Sequence, residues 1–286
     1  MRHQHSAVSK WSLVAGSAVA ALVAGPLSIA AENAEETTKT VTRDASDEEL
    51  AKQAQNPLAN LISLPLQYNV TFDVGPDKGT LSVLNIQPVI PFSLNSDWNL
   101  ITRTIVPIVN QPPLTAGSVG ANGIGNTQFS AFVSPANSGE TIWGVGGVVQ
   151  IPTNTDGLLG SNEWGLGASA VGLKIDGPWV YGALINNIWS LGASGSQSYN
   201  QMLIQPFLNY NFKGGFYLTS SPIITANWKA DSSNAWTVPI GGGIGQILRI
   251  GKLPVNAQAQ VYYNVVRPDG IGAWAARLQV QFLFPK

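Results

Sequence analysis

The feature that most constrains the fold is an alternation of apolar and polar residues near the end of the chain, in residues 255–284. Apolar side chains occupy every second position in both arms of this stretch, at Val255, Ala257, Ala259, Val261, Tyr263 and Val265 and then at Trp274, Ala276, Leu278, Val280, Phe282 and Phe284. Most residues between them carry amide groups. Alternation with period two over about ten residues is typical of a strand between two environments. An apolar face with aromatic ends suits lipid and an amide face suits a wet interior, so the stretch predicts the closing hairpin of a transmembrane β-barrel.

Composition supports strands that have one lipid-facing side. Charged residues make up 11% of the 286 residues, whereas soluble domains average roughly 25%. The mean hydropathy is nevertheless only +0.10. After the N-terminal region, no unbroken apolar run reaches the ~20 residues that a membrane helix needs. A soluble β-sandwich is the alternative, although its solvent-facing sides should carry more lysine and glutamate.

Residues 1–31 have the plan of a secretory signal peptide. Arg2 and Lys10 give it a basic start, and residues 11–24 form its apolar centre. Residues 28–30 (SIA) are a small-x-small cleavage site, with residues 29–31 as the alternative. A membrane anchor is the competing interpretation, but the apolar run is too short for one. The sequence predicts export and, because it contains no cysteine, a fold without disulfides.

Residues 32–65 are predicted to form an acidic periplasmic tail with one short helix. Their polar first part is typical of a disordered segment. Ser46 and Glu49 have the spacing of a capping box, which starts a helix that ends before Pro57. The alternative is that this helix plugs the barrel. The tail is the preferred interpretation because little apolar surface marks the helix for burial.

Residues 66–286 are predicted to form an all-β domain, an antiparallel up-and-down outer-membrane barrel of about twelve strands. The predicted strands are residues 67–74, 80–92, 98–108, 125–133, 141–151, 164–175, 179–191, 200–212, 215–228, 235–250, 253–267 and 271–284. Tight turns alternate with mostly longer loops rich in Gly, Ser and Asn. Short turns at one end and long loops at the other are typical of such barrels. Prolines inside the segments, such as Pro88, Pro222 and Pro239, are expected at bulges or ladder ends because proline lacks the N–H donor.

Strand parity separates the residues that face the lumen from those that face lipid. The central arginines, Arg103 and Arg277, share parity with amides. An arginine on the lipid face near the midplane costs roughly 2–4 kcal/mol, so both should point inward. The residues predicted to line the lumen and the path of a solute are Asn85, Gln87, Arg103, Gln128, Gln205, Asn209, Gln258, Gln260, Arg277, Gln279 and Gln281.

Residues that carry common catalytic chemistry are scarce. The only histidines are His3 and His5, both in the signal peptide, and there is no cysteine. This removes Ser-His and Cys nucleophile arrangements and the usual zinc sites. The carboxylates of the barrel region fall in or beside turns and loops, where they are commonly solvated. The sequence therefore predicts no enzyme, no cofactor, no metal site and no nucleic-acid binding.

Several motifs resemble one family of Gram-negative outer-membrane proteins. The matching segments are residues 55–65 (QNPLANLISLP), 84–91 (LNIQPVIP), 97–104 (DWNLITRT), 202–210 (MLIQPFLNY), 236–239 (WTVP) with the glycines that follow, and 255–258 (VNAQ). The family is grouped with the meta-pathway of phenol degradation and labelled as transporters, and some members carry the name neuromedin U. The resemblance covers nearly all of residues 46–286. It implies an outer-membrane barrel that passes small or aromatic compounds.

The predicted function is passive passage of small solutes through an amide-lined lumen, with neutral polar, weakly anionic or aromatic solutes favoured. The alternative is a structural or surface-interaction barrel with a filled or plugged lumen. The expected partners are outer-membrane lipid, the barrel-assembly machinery and a small-molecule solute. The sequence leaves the oligomeric state open, and the predicted location is the outer membrane.

Overall fold

The computed structural model of the protein describes residues 46–192 and 198–285. The predicted signal peptide and the predicted disordered part of the tail, residues 32–45, lie outside the described residues. The described chain folds into one short α-helix, two three-residue 3₁₀ helices and twelve strands that form a single closed sheet. Within this part of the chain, no helix is both long enough and apolar enough to cross a bilayer.

Nine of the twelve strands are continuous, and three consist of two segments each. Helix α1 spans Asp47–Ala54. The strands are β1 Ile62–Val74, β2 Gly79–Ile86 and Val89–Ser93, β3 Trp98–Gln111, β4 Ala121–Ile124 and Thr127–Pro135, β5 Thr141–Ile151, β6 Gly165–Asp176, β7 Trp179–Ser190, β8 Asn200–Asn211, β9 Phe216–Ser220 and Ile224–Asn227, β10 Trp236–Ile250, β11 Leu253–Val266 and β12 Trp274–Phe284.

The barrel closes by pairing its first strand with its last. The antiparallel register of β1 and β12 runs from Ile62 opposite Phe284 to Thr71 opposite Ala275. Every other strand pairs with its neighbours in sequence, so no backbone edge is left unpaired, as lipid requires. The predicted fold class and the closing hairpin β11–β12 are confirmed. Strand β1 begins at Ile62, so it includes residues 62–65, which the sequence assigns to the tail.

Prolines mark two of the three interrupted strands. Pro88 lies between the two segments of β2, and Pro222 lies between those of β9. Pro239 follows a register shift in the pairing of β10 with β11. A proline cannot donate to the ladder, and these positions are where the ladder is already broken. The prediction that these prolines lie at bulges or ladder ends is therefore confirmed.

The two ends of the barrel differ, and we call them the short-turn end and the loop end. At the short-turn end, connections such as residues 177–178 and 251–252 are two residues long. The loop end has connections such as residues 112–120 and 152–164. Short turns face the periplasm in outer-membrane barrels. Ile62 and Phe284 both lie at the short-turn end.

Aromatic side chains gather at both ends of the strands. At the short-turn end, the rings of Trp98 and Trp143 meet edge to face, with centroids 6.1 Å apart. At the loop end, Trp228 and Trp236 do so at 5.4 Å. Between these ends the outer surface is apolar, and Leu278, for example, is 56% exposed. Aromatic girdles around an apolar belt are the surface expected in a bilayer.

Helix α1 lies inside the barrel at the short-turn end. Leu50 and Ala51 are fully buried in a cluster with Tyr217, Ile247 and Leu283, which project inward from the barrel wall. The segment after the helix adds Ala59 and Leu61 to this cluster. Residues 46–61 are therefore not an external tail, and we call them the plug. The sequence favours a tail because these apolar contacts lie partly beyond the helix, where helical periodicity does not register them.

The glycines of β10 make room for the side chain that meets the plug. A Cβ atom on Gly245 would lie 2.1 Å from Cζ of Tyr217. The Tyr217 hydroxyl donates to Asn256 Oδ1 at 2.6 Å, and its ring packs in the cluster that holds Leu50. The glycine at this position therefore leaves the space that the Tyr217 ring occupies.

Candidate functional site

The lumen contains two adjacent cavities. The larger has a volume of about 350 Å³ and reaches from the middle of the barrel to residues of the loop end, such as Pro268 and Ile271. The smaller has a volume of about 120 Å³ and is lined on one side by Ala54, Gln55 and Pro57 of the plug. Five residues line both cavities: Gln67, Arg103, Leu184, Gln205 and Arg277. These shared residues lie where the two cavities meet.

Most of the predicted lumen residues line one or both cavities. The larger cavity is lined by Asn85, Gln87, Arg103, Gln128, Gln205 and Arg277. The smaller is lined by Arg103, Gln205, Asn209, Gln258, Arg277 and Gln279. The two other predicted residues, Gln260 and Gln281, are buried in the wall. Gln260 hydrogen-bonds to Ser221 and Gln258, and Gln281 accepts from Asn256 at 3.1 Å.

Arg103 projects from β3 into the lumen. Its cross-strand partners are Val89 on β2 and Ser130 on β4. Its Nη2 donates to Gln87 Oε1 at 2.5 Å. Arg103 makes no other hydrogen bond to the described residues, and its side chain lines both cavities.

Arg277 projects from β12 and is more firmly held. Its Nε donates to Asn69 Oδ1 at 3.0 Å. Its Nη1 donates to the carbonyl oxygen of Ser221 at 2.8 Å and to the Ser221 hydroxyl at 3.2 Å. The guanidinium carbon lies 5.3 Å from the centroid of the Tyr262 ring, within reach of a cation–π interaction. These contacts fix the position of the charge in the lumen wall.

The two lumen arginines have no carboxylate partner in the part of the chain that the structure describes. The ion pairs there join Lys52 to Glu48, Lys174 to Glu140 and Arg249 to Asp47. The carboxylates Glu48 and Asp47 lie on helix α1, and Glu140 lies in a turn at the short-turn end. The middle of the lumen therefore carries positive charge. Where water is partly excluded, this charge interacts more strongly with a charged solute.

Apolar side chains also face the lumen, and the sequence analysis does not identify them. The larger cavity is lined by Val83, Ile105, Phe132, Leu184, Ile188 and Leu203, among others. No parity can be assigned to residues 180–189 from the sequence, because both of their faces are largely apolar. The pairing of β7 with β8 places Leu184 opposite Gln205, and both line the cavity. The lumen is thus amphipathic and is not lined by amides alone.

The plug contacts the wall through polar groups as well as apolar ones. Gln55 and Asn211 exchange side-chain hydrogen bonds of 2.8 and 3.0 Å. Leu58 packs beside Ile101 and Leu184, deeper in the lumen. These contacts place the plug between the smaller cavity and the short-turn end.

The fold and the lumen together define an outer-membrane β-barrel protein with two internal cavities and a plug. No family model and no curated protein matches the chain. Solved structures do match it. An outer membrane channel from Pseudomonas putida F1 superposes with a TM-score of 0.63 over 79% of this chain and 96% of that chain, at 17% identity. This likeness shows a shared barrel fold.

Two further solved structures have lower similarity. Outer membrane phospholipase A from Escherichia coli matches with a TM-score of 0.45 over 84% of this chain and 98% of that chain, at 13% identity. Salmonella typhi OmpF, in a complex with daunomycin, matches with a TM-score of 0.34 over 78% of this chain and 96% of that chain, at 8% identity.

The prediction that the chain is not an enzyme needs correction. The barrels that match it include outer membrane phospholipase A, which is an enzyme. The exclusion of an enzyme is therefore withdrawn. These structural similarities identify no catalytic residues in this chain, so they point to no particular enzymatic activity.

Proposed function

We propose that the chain is an outer-membrane channel that passes small solutes by passive diffusion. The observation that carries this proposal is the pair of adjacent cavities that share Arg103 and Arg277. A chain of cavities along the lumen provides a path, and the two uncompensated arginines give it a weak preference for anions. The channel from Pseudomonas putida F1, which has the same barrel fold, supports the same function.

The finer parts of the proposal concern family, export and assembly. The motifs at residues 84–91 and 97–104 support membership of the family grouped with the meta-pathway of phenol degradation. The signal peptide at residues 1–31 directs export. The barrel-assembly machinery inserts the barrel, with outer-membrane lipid around its apolar belt. The amphipathic lumen suits small solutes that are neutral and polar, weakly anionic or aromatic.

A second candidate function is a closed barrel with a structural or surface-interaction role. The observation in its favour is the plug, because residues 46–61 fill the short-turn end. In this case the lumen hydrogen bonds, such as those of Arg277 to Asn69 and Ser221, serve stability alone. Deletion of the whole protein from the cell would then change envelope integrity or adhesion and leave solute uptake unchanged.

Planar bilayers and liposomes test the channel directly. The purified barrel should show a small, weakly anion-preferring conductance and should allow liposomes to swell in small solutes. The double substitution Arg103→Ala with Arg277→Ala should reduce the anion preference, because it removes the only charges placed in mid-lumen among the described residues. Lys174→Ala is the matched control, since Lys174 pairs with Glu140 near a turn. Absence of both conductance and swelling would reject the channel and favour the closed barrel.

A further inference from the structure

The junction between the two cavities is bounded by two cations and by no carboxylate. Arg103 of β3 and Arg277 of β12 line both cavities, and no aspartate or glutamate among the described residues lines either one. The charges of the two arginines also act on each other, and as like charges they repel. Two uncompensated like charges in a partly dry space are destabilising, and an anion between them offsets this cost. The junction is therefore electrostatically suited to an anion.

Both guanidinium groups are held in place and retain unused donors. Arg277 is fixed by Asn69 and Ser221 through its Nε and Nη1, and its Nη2 makes no hydrogen bond to the described residues. Arg103 is held by Gln87 through its Nη2, and its Nε and Nη1 make no hydrogen bond to that part of the chain. A guanidinium presents its donors in a planar fork that matches two oxygens of an oxyanion. Each arginine can therefore donate to an anion and keep the contact that holds it.

Neutral amides at the same junction have unused hydrogen-bonding capacity. Gln205 of β8 lines both cavities, and Gln279 of β12 lines the smaller one. Neither side chain makes a hydrogen bond to another described residue. An amide NH₂ group donates to an oxyanion without adding charge. The junction thus offers donors from β3, β8 and β12, which are well separated around the barrel.

Donors on separate strands favour an anion that has several oxygen edges. A carboxylate has one edge of two oxygens, which a single guanidinium fork covers. A tetrahedral sulfate or phosphate group has further edges, so it can accept from a second fork and from the amides. Its two negative charges also match the two positive charges of the site. The smaller cavity, with a volume of about 120 Å³, has room for such a group of five heavy atoms.

We propose that the junction between the cavities is a binding site for dianionic tetrahedral oxyanions, the sulfate or phosphate group. Arg103 and Arg277 bind two edges of the group, and Gln205 and Gln279 donate to its remaining oxygens. This inference rests on the proposed channel function, because it refines the weak anion preference of the lumen to one class of ligand. Free inorganic ions and phosphate esters share this chemistry. Chloride is the competing occupant.

Calorimetric titration of the purified full-length barrel at constant ionic strength tests the site with two pairs of anions. Sulfate and methanesulfonate have similar shapes and differ in charge. Sulfate should bind about tenfold more tightly, because only the dianion matches both arginines, and it should saturate at one ion per barrel.

The second pair separates the two sources of the group. Phosphate and methyl phosphate are both dianions at about pH 8, and they differ in the organic substituent. Methyl phosphate binding as tightly as phosphate would assign the site to phosphate esters, and weaker binding would assign it to the inorganic ion. Either result supports a dianion site.

Variants assign the charge preference to its residue. Arg103→Gln should weaken sulfate binding about tenfold and bring sulfate and methanesulfonate close to equality. Arg103→Lys, which keeps the charge and removes the fork, should bind sulfate with intermediate affinity. Lys174→Gln removes a cation that pairs with Glu140 outside the cavities, and it should change neither affinity. Heat-modifiable gel mobility establishes that each variant is folded. If Arg103→Gln is not, Arg103→Lys decides, and unchanged sulfate affinity in that variant rejects the site.

Equal binding of sulfate and methanesulfonate by the natural chain would overturn the proposal. A sulfate preference that survives Arg103→Gln would do the same, as would the absence of saturable binding of both sulfate and phosphate. Chloride conductance in planar bilayers distinguishes these outcomes from failure of the channel. Conductance without binding leaves the channel and rejects the site, whereas binding without conductance leaves the site and rejects the channel.

Discussion

Asp47 in the first turn of helix α1 accepts hydrogen bonds from Nε and Nη2 of Arg249 on β10, at 3.0 and 2.7 Å. This ion pair ties the plug to the barrel wall at the short-turn end. Both side chains are more than a third exposed. Exposed pairs contribute roughly 0.2–1 kcal/mol, so the apolar cluster around Leu50 supplies more of the plug's binding energy than the ion pair does.

We expect Asp47→Asn to loosen the plug only slightly. The substitution keeps the shape of the side chain and removes its charge, so the plug should lose no more than about 1 kcal/mol of docking energy. Hydrogen–deuterium exchange of residues 47–54 in the folded barrel measures this loss. Glu48→Gln is the control, because Glu48 pairs only with Lys52 on the same helix among the ion pairs described. Equal effects of the two substitutions would show that the Arg249 contact does not hold the plug.

Leu50→Asp should release the plug and enlarge the conductance several-fold. Leu50 is 1% exposed in the cluster with Tyr217 and Leu283. Removing a buried leucine side chain costs about 2–5 kcal/mol, and the new carboxylate would be desolvated as well. Single-channel recording measures the conductance, and protease cleavage within residues 46–61 measures release. Gln53→Asp introduces the same charge on the same helix outside this cluster and should leave both unchanged. Unaltered conductance after release would mean that the plug does not limit flow.

Gly245→Ala should destabilise the barrel, whereas Gly172→Ala should be nearly neutral. A Cβ at Gly245 would overlap the Tyr217 ring at 2.1 Å, and the ring is held by Asn256 and by the plug. Overpacking of this kind costs about 1–3 kcal/mol. Nothing lies within 4 Å of a Cβ built on Gly172, which is also in a strand. The thermal stabilities of the two variants are compared by the temperature at which the band of the folded barrel disappears in heat-modifiable gel electrophoresis. A Gly245→Ala barrel as stable as the Gly172→Ala barrel would show that Tyr217 can move without cost.

Removal of Pro285 and Lys286 should leave barrel assembly intact. The ladder between β12 and β1 ends at the pair Phe284 and Ile62, and Phe284 is exposed on the lipid-facing side. We expect assembly to depend on this aromatic residue, because it forms the last pair of the closing ladder and its ring lies on the apolar outer surface. Phe284→Ala should instead reduce the amount of folded barrel. The yield of the heat-modifiable form in outer-membrane fractions measures both effects. If deletion of Pro285 and Lys286 alone blocked assembly, the expectation that Phe284 is sufficient would be wrong.

Much of the barrel could be predicted from the sequence, because the signals are local. Alternation with period two fixes which face of β11 and β12 meets lipid, and it gives the inward orientation of Arg103 and Arg277. The alternation of short turns with longer loops gives the number of strands and the end at which the first strand begins and the last strand ends. Proline positions indicate where the ladder breaks, since the missing donor is a property of the residue itself.

Other features could only be decided by the tertiary structure. Helix α1 carries little apolar surface, and its burial depends on Tyr217, Ile247 and Leu283, which are distant in sequence. The residues of β7 that line the lumen, such as Leu184 and Ile188, could not be assigned from the sequence because β7 is apolar on both faces. The contact of Arg103 with Gln87 follows from the register between β2 and β3. The sequence alone thus determined which polar residues of the alternating strands face inward, because that property repeats along each such strand. The contacts among those residues depend on how the strands and the plug meet in space, and only the closed barrel specifies them.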